Sequence, residues 1–141
     1  MSENLPSNEK YQPVGFVEGL LNSINFFKHQ TNKVINRWLE VLPTIEKYGL
    51  KITSFAMSYS INPSLEVELI GKSADFPIER IREILDENKS SASIVSVFQA
   101  VRTTKNLYEK TKSTPQEDLI IEIKVRFSPE IKVFLGVPLI E

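Results

Sequence analysis

The stretch LIIEIKVRFSPEIKVFLGVPL, residues 119–139, decides the fold class. Leu119, Ile121, Ile123, Val125 and Phe127 fall on alternate positions. After Ser128-Pro129-Glu130 the alternation resumes through Ile131, Val133, Leu135, Val137 and Leu139. Successive side chains of a strand point to opposite faces, so a period of two broken by a proline-containing turn predicts a hairpin with one apolar face.

A weaker version lies upstream, where Phe55, Met57, Tyr59 and Ile61 alternate before Asn62-Pro63-Ser64, and Leu65, Val67 and Leu69 alternate after it. A three-residue loop sets Ile61 opposite Leu65, Tyr59 opposite Val67 and Met57 opposite Leu69. A two-residue loop would set the same residues against Glu66 and Glu68, so the first register is expected. Aligned on Pro63 and Pro129, the two hairpins resemble each other. Together they predict one four-stranded antiparallel sheet with helices on its apolar face.

Helical spacing fills the rest of the chain. From 13 to 48 the apolar residues recur every three or four positions: Val17, Leu20, Ile24, Phe27, then Val34, Trp38, Val41, Ile45 and Tyr48. Pro13 suits a first turn and Gly49 a left-handed helix end, while Pro43 predicts a kink or break. Unbroken, this helix would measure about 54 Å at 1.5 Å per residue, against a radius of gyration of about 14 Å for a domain of this length. It therefore breaks, most simply at His29-Gln30-Thr31-Asn32, or projects and buries its stripe against another chain. A second helix is expected over 73–88, capped by Asp75 or Ser73 with Pro77 in its first turn. A third carries Ile94, Val97, Phe98, Val101 and Tyr108 and ends near Lys110. The expected architecture is thus α+β, in the order α-ββ-αα-ββ, with residues 1–12 a flexible arm and 13–141 one domain.

Composition narrows the function. The 141 residues carry 17 Lys and Arg against 18 Asp and Glu, with five Gly, one His and no Cys. Neither half is strongly charged, so no broad nucleic-acid-binding surface is expected. Gly15, Gly19, Gly49, Gly71 and Gly136 make no phosphate-cradling loop, and no cysteine or Gly-x-Ser-x-Gly nucleophile exists. With a single histidine, a metal site would have to be completed by carboxylates. We therefore expect no catalytic, cofactor or metal residues. No run of apolar residues is long enough to span a bilayer, and the segment 11–42 has too few cations for a membrane-surface helix. The expected location is the cytoplasm.

The remaining signal is apolar surface. Phe26 falls off the helical stripe, and Ile120, Phe134 and Ile140 point away from the apolar face of the second hairpin. The leading expectation is a non-enzymatic interaction or assembly module. It would be homo-oligomeric or bind another protein, through Phe26, Phe27, Val34 and Trp38 of the first helix and Ile120, Phe134 and Ile140 of the last hairpin. The alternative is a small apolar-ligand or lipid binder with a pocket between the first helix and the sheet, edged by Met57, Tyr59, Glu66 and His29.

Overall fold

The computed structural model describes residues 32–138. The expected arm 1–12, the expected helical turns over 13–31 with their break near His29, and the residues Phe26, Phe27, His29 and Ile140 lie outside the described residues.

Along the described chain the order is α1 (Lys33–Lys47), β1 (Lys51–Ser58), β2 (Ser64–Lys72), a 3-10 turn (Ser73–Asp75), α2 (Ile78–Glu87), α3 (Ala92–Glu109), β3 (Asp118–Val125) and β4 (Pro129–Leu135). The strands form a four-stranded antiparallel sheet in the order β1-β2-β3-β4. This is the expected α+β layout.

α1 buries Ile35, Trp38, Leu42 and Ile45, spaced three, four and three residues apart. Pro43 does not end it, so of the expected kink or break the break is excluded: the helix runs on to Lys47 with Pro43 on its exposed side. Water can there satisfy the carbonyl that a proline leaves without a donor. Gly49, at φ +107°, then turns the chain into β1, with its N–H bonded to the Glu46 carbonyl.

The start of the next helix is also corrected. Ser73 and Asp75 belong to the 3-10 turn, and Pro77 occupies the cap position of α2 without a side-chain hydrogen bond. The Ser91 hydroxyl, by contrast, caps α3 by accepting from the Ile94 N–H at 3.4 Å.

The first hairpin keeps its predicted face but not its register. Met57 faces Leu65, Phe55 faces Val67 and Ile52 faces Leu69, with a bulge between Ile52 and Ser54. Tyr59 and Ile61 therefore stand in the turn, 64% and 96% exposed, instead of opposite Val67 and Leu65. The Ser60 hydroxyl closes that turn by donating to the Asn62 carbonyl and accepting from the Asn62 N–H. A shift by an even number of residues leaves every side chain on its original face, so alternation alone cannot distinguish the two registers. The second hairpin turns over residues 126–128 and pairs Val125 with Pro129, which opens β4 where a missing N–H costs least.

The core lies between the helices and the apolar face of the sheet. Leu65, Val67, Leu69, Leu119, Ile121, Ile123 and Val125 meet Trp38, Phe76, Ile81, Ile84, Ile94, Val97 and Phe98 in one cluster. Phe98 packs edge-on against Tyr48 and tilted against Phe76, at 5.7 and 6.1 Å between ring centres. The helices rest over one side of the sheet, with α3 against β4 and α1 against β3.

Candidate functional site

Among the described residues β1 has no comparable helical cover. Six of its eight residues are exposed, with Ile52 and Met57 half-buried. As the end strand of the sheet it also has one row of backbone N–H and C=O groups with no neighbouring strand among the described residues. Such a row is a template for pairing unless charge, proline or cover blunts it. β4, the other edge, begins with Pro129-Glu130, carries Lys132 and lies under α3. Residues 53–58 of β1, Thr-Ser-Phe-Ala-Met-Ser, contain neither charge nor proline.

The two faces of this edge differ. On the helix side Phe55 is 52% exposed beside half-buried Met57. Beyond them lie the turn residues Tyr59 and Ile61. Phe127, 66% exposed in the β3–β4 turn, belongs to the same end of the sheet, because Leu65 pairs with Val125. On the outer side β1 presents Ser54, Ala56 and Ser58, and across from Ser54 and Ala56 stand Glu68 and Glu66.

The outer face forms a shallow groove of about 360 Å³, lined by Ser54, Glu66, Glu68, Glu122, Lys124, Glu130 and Lys132, among others. Its charges sit in rows across the strands: Glu66 beside Lys124 beside Glu130, then Glu68 beside Glu122 beside Lys132. The groove thus holds two more carboxylates than ammonium groups, and Glu68 and Glu122 oppose each other directly, an unfavourable pairing. Among the described residues the ion pairs within 4.0 Å are Lys72–Asp118 and Lys89–Asp86, so none of the groove carboxylates is paired with Lys124 or Lys132. The Thr53 hydroxyl donates to Glu68 Oε1 at 2.8 Å, which draws that carboxylate toward the β1 edge. Lys132 lies 5.9 Å above the Phe134 ring.

Those residues singled out from sequence that lie among the described ones do not converge. Trp38, 1% exposed, is spent in the chain's own core, and Val34 packs partly buried beside it. Ile120 is 6% exposed and Phe134 half-buried, so the outer face of the last hairpin offers little free apolar surface. Met57 and Glu66 lie on opposite faces of the sheet, which stands between them, and Tyr59 projects from the turn. The bland signal that marked the true edge was the uncharged run at 53–58, which looks like half of a core hairpin until the register is known.

Lys105 of α3 is committed to structure. Lys105 donates to the carbonyls of Ser73 and Phe76 at 2.8 and 2.6 Å. Burial holds this ammonium below the ordinary lysine value, while Glu109 opposes that shift. Arg80 joins the same turn to the end of α1, donating to the Asp75 and Tyr48 carbonyls and stacking 4.9 Å above Phe76. The Tyr108 hydroxyl donates to the Thr114 carbonyl.

Comparison with known proteins adds no relative. The chain matches no protein-family model, no curated protein and no solved structure. Among the described residues no helix is long and apolar enough to cross a membrane.

Proposed function

We propose that this chain is a non-enzymatic, cytoplasmic protein-interaction module that accepts an added β-strand, from a like or unlike chain, along β1. The observation that carries it is the contrast between the two sheet edges: β4 is guarded by proline, charge and a helix, while residues 53–58 of β1, exposed except for half-buried Met57, carry no such guard among the described residues. An unguarded edge is an aggregation hazard in a protein that has no use for it. Strand addition uses it productively, with main-chain hydrogen bonds supplying affinity and alternate side-chain positions supplying selectivity. The exposed ring of Phe55, with Met57 beside it, offers the apolar anchor such an interface needs.

A photo-crosslinking amino acid placed at position 55 in the intact chain, in cells, tests this directly. Leu107, 58% exposed on α3, is the control position. Adducts specific to position 55 are expected, either at twice the 16.1 kDa chain mass or with one unlike protein. Equal labelling from 55 and 107, or none from 55, would overturn the proposal.

A further inference from the structure

We infer that the segment β1 receives is an extended strand alternating apolar residues with lysine or arginine, its apolar side chains against Phe55 and Met57 and its cations over the outer face toward Glu66 and Glu68. This occupant presupposes the strand addition proposed above and adds the chemistry of the partner.

The outer face supplies the charge complement. A strand added to β1 would lie about 10 Å from β2, two strand spacings away. The side chains between them, Ser54 and Ala56, are too short to screen the acidic column of β2. Lysine and arginine have stems long enough to lie across such small residues while placing their charge at a carboxylate. Glu68 already leans in that direction through its bond from Thr53. The like-charged Glu68–Glu122 pair, with no cation within ion-pair distance among the described residues, raises the negative potential at the place a cation would reach.

A strand of this alternating pattern already lies on the other flank of β2, its lysine opposite Glu66 but beyond 4.0 Å of it. There Ile123-Lys124-Val125 of β3 alternates apolar and basic residues, burying Ile123 and Val125 while Lys124 stands opposite Glu66. On the β1 flank Glu66 faces only Ala56. A second copy presenting its own β1 would bring Ser54, Ala56 and Ser58 to the outer face with Lys51, at the start of the strand, as its one cation, so it meets the apolar half of the requirement and supplies the charged half at a single position instead of in alternation.

Isotope-labelled full-length chain is titrated with three soluble eight-residue peptides: alternating valine and lysine, alternating valine and glutamate, and the lysine peptide N-methylated on the pairing edge. The expected result is that the lysine peptide shifts the amide resonances of residues 51–58, that N-methylation abolishes the shift, and that the glutamate peptide binds far more weakly. Glu66→Gln and Glu68→Gln should each weaken the lysine peptide about two- to fivefold, the range of exposed ion pairs, with binding falling as salt rises. Equal binding of the lysine and glutamate peptides at β1 would overturn the charge complement while leaving strand addition standing. Shifts confined to Glu122 and Glu130, or no shift at β1 with any peptide, would overturn strand addition itself. A concentration-dependent doubling of mass by light scattering that the lysine peptide does not reverse would assign the edge to a second copy and overturn this occupant.

Discussion

Replacing Trp38 by alanine distinguishes a core residue from an interface residue. The indole is 1% exposed and packs in the cluster between α1 and the sheet. An aromatic side chain of this class buries about 150–250 Å², which at about 25 cal/mol per Å² corresponds to about 4–6 kcal/mol of transfer free energy. Alanine keeps part of that, and the surroundings partly collapse, so the expected loss is about 3–5 kcal/mol. That is a large share of the about 5–15 kcal/mol that holds a domain folded. Trp38→Phe retains most of the volume and should lose appreciably less. Urea denaturation followed by circular dichroism reads both, and Trp38→Ala should lower the midpoint by more than about 1 M for a slope of about 1–3 kcal/mol per M. A Trp38→Ala chain that kept its midpoint but lost a binding partner would show that the indole faces another chain, and would refute the packing described here.

Other perturbations test different links. Gly71 is a position where a methyl group has no room: an added Cβ would stand 2.8 Å from Leu50 Cδ2 and 3.3 Å from the Gly49 carbonyl oxygen. Gly71→Ala should therefore destabilise by about 1–3 kcal/mol, and Leu50→Val, which removes the nearest atom, should recover part of that loss in the double variant; strict additivity in thermal melts would argue against the contact. Glu68→Lys places a cation opposite Glu122 and is expected to raise stability by about 0.2–1 kcal/mol while abolishing the preference for the valine-lysine peptide. Lys105→Met removes the ammonium donor from the Ser73 and Phe76 carbonyls, the first of which keeps the Phe76 N–H, at a cost of about 1–3 kcal/mol near neutral pH. Because burial lowers the folded-state pKa of Lys105 below 10.5, the unfolded chain holds a proton that the folded chain releases as pH approaches 10.5 from below. Stability of the wild type relative to Lys105→Met should then rise with pH across that window, and parallel pH profiles would refute the assignment.

Periodicity in the sequence determined the kinds of elements, their order and the face each one buries. Ile35, Trp38, Leu42 and Ile45 recur at helical spacing, and Leu119, Ile121, Ile123 and Val125 at a spacing of two, because burial of one side requires those periods in any fold. The same local information left Pro43 undecided, since the cost of a missing N–H depends on whether water reaches the carbonyl it abandons. Register, helical cover and therefore the candidate site were decided only in three dimensions. Alternation specifies which face Met57 and Tyr59 occupy but not how far along β2 they pair, so the move of Tyr59 and Ile61 into the turn left no mark on the pattern. Nor could the string Thr-Ser-Phe-Ala-Met-Ser disclose that α1 and α3 settle over β3 and β4. Its exposure follows from where distant helices pack, and the same six residues under a helix would have been ordinary core.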